Sequence, residues 1–148
     1  MYPITLIVLG DPKGQPRPKA FAFRGHARVY DPGTAENWKS QIAQAVKEAG
    51  AVGIMLDIPL SISIHCHFRR PKSHYKAGKN AHMLRPDAPT WHTSKPDFDN
   101  TAKAACDALT HLGVWKDDAQ VVKATVSKRY SDGAARTIIT IMEVEVEE

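Results

Sequence analysis

Four aspartates lie in two short runs that flank one helical pattern: Asp97-Phe98-Asp99-Asn100 precedes it and Asp117-Asp118 follows it. Carboxylates at loop-to-helix junctions have two uses. A helix N-terminus favours negative charge by roughly 0.3–1 kcal/mol, so capping accounts for one acid. Capping leaves the second acid of the first run, and the second run, without a purpose. A few hard oxygen ligands shared with water and a substrate phosphate are what Mg²⁺ binds, with Mn²⁺ as a substitute. Lys103 stands four residues after Asp99, one helical turn along, within reach of the same phosphate or of an attacking water. The plain alternative for Lys103 is pairing with Asp99 or Asp107 on the helix surface, worth only about 0.3–0.5 kcal/mol.

Other chemistries fit less well. An EF-hand counted from Asp97 would need Gly at its sixth position and Glu at its twelfth, where the chain has Ala102 and Ala108. His65-x-His67 could offer two nitrogens to zinc, but no cysteine or further histidine stands at a familiar spacing. No P-loop or dinucleotide fingerprint occurs, so no nucleotide cofactor is expected. No acyl-transfer triad is visible either. Cys66 and Cys106 each sit inside an apolar pattern and read as reduced core thiols rather than a disulfide framework.

The elements that must position these residues are legible in outline. Residues 4–9 form an apolar, β-branched run closed by Gly10-Asp11-Pro12, a buried strand. A basic loop is expected next. Thr34 can cap a helix in which Trp38, Ile42, Ala45, Val46 and Ala49 recur at helical spacing until Gly50. From 58 to 68, apolar Ile58, Leu60, Ile62, Ile64, Cys66 and Phe68 alternate with Ser61, Ser63, His65 and His67, the period of a half-buried strand. Residues 69–96 have no periodicity and four prolines, and exceed the roughly 12–15 residues expected of an unstructured connection, which marks a functional or disordered loop. A helix from about 99 to 112 is expected to bury Ala102, Ala105, Cys106, Leu109 and Leu112, leaving Asn100, Lys103 and Asp107 on another face, with Gly113 ending it. Two β-rich runs, 121–130 and 137–146, joined around Ser131-Asp132-Gly133, predict a C-terminal antiparallel hairpin. The reading is one compact α/β (α+β) domain over 1–148, with a small mixed sheet and two main helices.

Charge narrows the partner. The 148 residues carry a net +4, yet Glu143, Glu145, Glu147 and Glu148 supply −4, leaving residues 1–142 at +8. Two irregular stretches hold the excess: 10–30, with Lys13, Arg17, Lys19, Arg24 and Arg28, and 69–95, with Arg69, Arg70, Lys72, Lys76, Lys79, Arg85 and Lys95. Clustered cations outside regular elements suit a polyanion, since each phosphate contact releases condensed counterions; a solvated surface is the alternative. Candidate DNA contacts are Arg17, Lys19, Arg69, Arg70, Lys72, Lys76 and Lys95, and Phe21, Phe23, Tyr75 and Trp91 beside them could wedge into or stack on bases. No apolar run approaches a membrane span, and the start lacks a basic n-region and cleavage site, so a cytoplasmic, membrane-free protein is expected.

The run 95–103 (Lys-Pro-Asp-Phe-Asp-Asn-Thr-Ala-Lys), Asp107-Ala108-Leu109 and 115–122 (Trp-Lys-Asp-Asp-Ala-Gln-Val-Val) resemble RusA Holliday junction resolvases in order and spacing. Gly14-Gln15-Pro16-Arg17-Pro18 with Val29-Tyr30-Asp31-Pro32 is similar to that family's N-terminal region. The resemblance implies metal-binding aspartates at Asp97, Asp99 and Asp118 and an essential lysine at Lys103. It also implies an α/β homodimer that places paired symmetric nicks in four-way junctions during DNA recombination and repair. Pro96 stands where some members have arginine, and the long 69–96 loop looks like the phage-associated branch. A nuclease for flaps or replication forks, or a non-catalytic DNA-binding module, would share many of these features.

Overall fold

The alternating run becomes strand β4 (Leu60–Phe68) in a computed structural model that describes residues 3–15, 19–23, 26–30 and 35–145. Leu60, Ile62, Ile64, Cys66 and Phe68 are buried, while Ser61, Ser63, His65 and His67 are half-buried on the opposite face. Strand β1 (Ile4–Leu9) contributes Leu6 and Val8 to the same core. Against it packs helix α1 (Glu36–Glu48), through Trp38, Ile42, Ala45 and Val46. Its N-cap is Ala35; the expected cap, Thr34, lies outside the described residues. Past its C-terminus Gly50 takes φ +67°, a left-handed conformation that costs glycine little.

The expected basic loop after β1 is in part regular: β2 (Lys19–Phe23) and β3 (His26–Tyr30) pair antiparallel as a separate two-stranded sheet. Positive charge at Lys19, Arg24 and Arg28 masks the alternation of small and aromatic residues in Lys19-Ala20-Phe21-Ala22-Phe23 that suits a strand.

Strands β5 (Val121–Tyr130) and β6 (Arg136–Glu143) occupy the predicted runs and turn at Ser131-Asp132-Gly133, but they are not ladder partners. The sheet order is β1-β6-β4-β5. β4 is inserted between the arms of the hairpin, parallel to β5 and antiparallel to β6, and β6 closes on β1. A hairpin turn fixes the sense of its two strands, not whether a third strand intervenes, and five residues from 131 to 135 suffice to cross one strand width of about 4.8 Å on each side. The Ser131 amide bonds the carbonyl of Phe68, the last residue of the inserted strand, at 2.8 Å.

The crossover from β4 to β5 carries the site. Its first half, residues 69–96, is ordered: 3₁₀ turns form at Lys72–His74 and Gly78–Asn80, and Tyr75 bridges Leu84. An aromatic staple ties the segment to the sheet end. His92 stacks on Phe68 with centroids 3.7 Å apart, Tyr130 meets both His92 and His74 edge-on, and the Arg70 guanidinium lies 5.3 Å from the Tyr130 ring. The second half is helix α2 (Phe98–His111), which buries Thr101, Ala104, Ala105, Ala108 and Leu109. The stripe is therefore rotated from the expected one: Ala102, Cys106 and Leu112 are only half-buried. Small alanines let α2 approach the sheet closely, so the face with less bulk is the one that packs. Gly113, at φ +69°, ends the helix.

Candidate active site on the second helix

Asp97 occupies the N-cap of α2 in extended conformation, yet its carboxylate accepts no capping hydrogen bond. Capping therefore does not use this acid, and Asp97 and Asp99 are both exposed at the first turn. The turn is held from the N-terminal segment. The Gln15 amide donates to the Asn100 carbonyl at 2.9 Å, and Gly14 lies so close that a Cβ there would meet the Cβ of Pro96 at 3.1 Å and of Asn100 at 3.2 Å.

Downstream, Asp99, Lys103 and Asp107 repeat every fourth residue, which sets each about 6 Å along the axis from the last. Asp118 faces this stripe from the turn after α2. Its carboxyl is held above the ordinary carboxylate value, first by partial desolvation, then by a hydrogen bond with and repulsion from Asp117 and by repulsion from Asp107; the Lys103 ammonium opposes the shift. Burial first, then repulsion from Asp118 and Asp107, pushes the Cys106 thiol up to about 11.

That turn is built with care. The Asp117 carboxylate accepts from the Ala119 amide at 2.9 Å, and Gln120 Oε1 accepts from the amides of Lys116 and Asp117, each at 2.9 Å. Gln120 Nε2 donates to the carbonyls of Leu56 at 2.9 Å and Ile58 at 3.1 Å, so all four hydrogen-bonding positions of this one amide are filled. Residues 53–56 run alongside 112–116 through amide-to-carbonyl bonds, and fully buried Trp115 donates from Nε1 to Thr110 Oγ1 at 2.7 Å. Lys116 adds a surface ion pair with Asp57 at 2.8 Å.

Of the expected site residues, the structure groups Asp118 with Lys103, and adds Asp107 and the positioning amide of Gln120. Asp97 and Asp99 stand at the start of the same helix. Among the described residues, no three His, Cys, Asp or Glu are gathered closely enough to form a ready-made metal cage. Mg²⁺ does not demand one, since it keeps several waters and is commonly held through one or two carboxylates and substrate phosphate. Exposed, mutually repelling carboxylates fit that chemistry. His65 and His67 do not form a zinc site: His65 Nδ1 pairs with Ser127 Oγ at 2.6 Å.

The expected DNA contacts are spread more widely. Arg69 is exposed, with its amide donating to Asp11 Oδ1 at 3.4 Å, and Lys72 and Lys95 are exposed. Lys76 is half-buried beside Tyr75 and Arg85 in a depression of 530 Å³. Arg70 is engaged within the fold, donating to the Pro89 carbonyl at 2.7 Å. Arg17 and the Lys19, Phe21 and Phe23 side chains lie outside the described residues.

A family model described as endodeoxyribonuclease RusA matches residues 10–142. The chain is 34% identical over 146 residues to the uncharacterized protein YqaN of Bacillus subtilis, covering 95% of this chain and 96% of that one. It is 34% identical over 121 residues to the crossover junction endodeoxyribonuclease RusA of Escherichia coli strain K12, covering 82% and 80%. A similar match, 33% over 125 residues, is to the crossover junction endodeoxyribonuclease of Enterobacteria phage 82. With a family model spanning three of the four sheet strands, both helices and the aspartate turns, this chain belongs to the RusA endodeoxyribonuclease family.

Proposed function

We propose that the protein is a Mg²⁺-dependent endodeoxyribonuclease that resolves four-way DNA junctions by paired symmetric nicks, acting as a homodimer. The observation that carries this reading is that Asp118, in the turn after α2, feels the charges of Asp107 and Lys103 on that helix, in a chain whose relatives are named crossover junction endodeoxyribonucleases.

Asp97, Asp99 and Asp118 would hold the metal, which supplies Lewis-acid stabilisation and a more acidic bound water. Lys103 places a positive charge where the scissile phosphate gains negative charge. Asp107, one turn after Lys103 on the same helix, adds negative charge that raises the Asp118 carboxyl. Gln120 and Asp117 keep Asp118 from swinging away.

Two equivalent cuts call for two equivalent sites, which a C₂ pair provides most simply. The open edge of β5 supports such a pair. Its far end is covered, with His92 donating to the Lys128 carbonyl at 3.0 Å and Tyr130 donating to the Thr90 carbonyl at 2.9 Å. Backbone groups alternate in direction along a strand, so those of Ala124 and Val126 face the same way, and among the described residues they have no partner there. No described helix is long and apolar enough to cross a membrane, and the two cysteines are free; a cytoplasmic address is proposed on the second ground.

The test is digestion of a four-way junction, a flap, a fork and a linear duplex side by side in Mg²⁺, Mn²⁺ and EDTA. Metal-dependent, symmetric cleavage of the junction in preference to the rest is the expected result. Preferential cutting of flaps or forks would replace the substrate assignment, and binding without cleavage in any metal would replace the enzyme with a binding module.

A further inference from the structure

The outer face of the sheet carries two arginines, flanking a histidine, that the site on α2 does not use. In register across three adjacent strands stand Arg129 on β5, His67 on β4 and Arg136 on β6. The row extends past the sheet edge to Trp91, which bridges Arg129 and whose ring lies 5.1 Å from the Arg129 guanidinium. Side chains directly opposite on neighbouring strands are about 5 Å apart, so a positive charge on His67 would be opposed from both sides. Among the described residues neither arginine is in an ion pair; the carboxylate of Asp132 acts on His67. Burial first, then Arg136 and Arg129, hold the His67 imidazole below its ordinary value. Along β5 the same face continues through Ser127 and Thr125 to Lys123, beside a depression of 280 Å³ lined by Ser61, Ser63, Thr140 and Met142. Trp91 is 58% exposed, although Trp38 and Trp115 are buried.

A strand face that aligns uncompensated cations with hydroxyl donors and ends in an exposed indole has the chemistry of a phosphodiester track with a base- or sugar-stacking stop. We propose that this face binds the backbone of a second DNA segment, Arg129 and Arg136 contacting phosphates about 9.6 Å apart across β4 and Trp91 stacking at the edge. The inference rests on the DNA-nuclease reading and adds to it. A branched substrate leaves its crossover in several directions, so a protein that cuts one strand near α2 has another arm available on the opposite side of the sheet.

The experiment is binding of a four-way junction in EDTA by the Arg129→Gln/Arg136→Gln protein, by fluorescence anisotropy over a range of salt. Kd is expected to rise tenfold or more at fixed salt, and the slope of log K against log[salt] to shrink by about 0.9 for each phosphate that the variant no longer neutralises. Should the double variant fail to melt cooperatively, Arg129→Gln, an exposed side chain, carries the same test with a single arginine. Trp91 is the one exposed tryptophan among the described residues, so junction DNA should also shield most of the acrylamide-quenchable emission. Unchanged Kd and slope, or emission that stays equally quenchable in bound protein, would overturn the track. Asp97→Asn keeps the outcomes separate: loss of cleavage in that protein with wild-type binding by the arginine variant sinks only the track, whereas undiminished cleavage sinks the nuclease site beneath it.

Discussion

In the proposed mechanism most of the chemistry falls to two carboxylates at the ends of one helix. Lewis-acid stabilisation is worth several kcal/mol and each ~1.4 kcal/mol is tenfold in rate, so Asp97→Asn or Asp118→Asn should slow junction cleavage by roughly 10²–10⁴ while leaving binding intact. Single-turnover kinetics with saturating enzyme measure this. Rates equal to the parent would remove those acids from the mechanism. The thiols behave oppositely, as groups kept out of chemistry. Burial, eased slightly by Thr137 and Lys128, pushes Cys66 up to about 12. Aromatic disulfide reagents at pH 8 should therefore label Cys66 only on unfolding. The unfolded thiol ionises near 8.5 and the folded one does not, so stability should fall as pH climbs from about 8.5 toward 12, measurable as a falling urea midpoint. The aspartates were recognisable in the sequence as candidates because a second acid beside a cap has no local purpose. Gln120 was not, since a lone glutamine gains meaning only from the four partners that the fold brings to it.

Helix α2 and the turn behind it form the element that the proposed chemistry depends on, and their supports lie far away in sequence. Gln120→Ala removes donors from two carbonyls and acceptors from two amides without touching any acid. A loss of about 1–3 kcal/mol in stability is expected, with a fall in kcat larger than any rise in KM because Asp118 loses its fixed position. A kcat equal to the parent would show that the turn holds its shape without the amide. Gly14→Ala probes the other end, where a methyl group would press on Pro96 and Asn100. Weaker cleavage with nearly unchanged binding is the outcome that fits, read from the same two assays. Strand β4 and both helices could be foreseen from period alone. The rotation of α2 could not: Ala102 and Ala105 are equally apolar, and only the sheet beneath decides which of them is covered.

For the molecule as a whole, the asymmetry of its sheet edges matters most. One margin of β5 is covered over 128–130 by the 90–92 segment and bare at Ala124 and Val126. Proline at 124 removes only an N–H that points away from β4, so Ala124→Pro should convert a two-chain species to a one-chain species in light scattering while the fold persists. A parent protein that already runs as a single chain while cutting junctions would exclude pairing through this edge. Composition marks the chain as basic, though not the division of its cations among the strands. That division depends on strand order, which places Arg129, His67 and Arg136 in one row from positions up to 69 residues apart. Strand order also governs how the molecule comes into being on the ribosome. Because β6 is interior, bonded to β1 on one side and β4 on the other, β1 has no strand neighbour and β4 has only β5 until residues 136–143 have been made. Nascent chains that stop short of Arg136 should thus remain protease-sensitive however much of α1 and α2 they already contain, and acquisition of resistance should be abrupt and late.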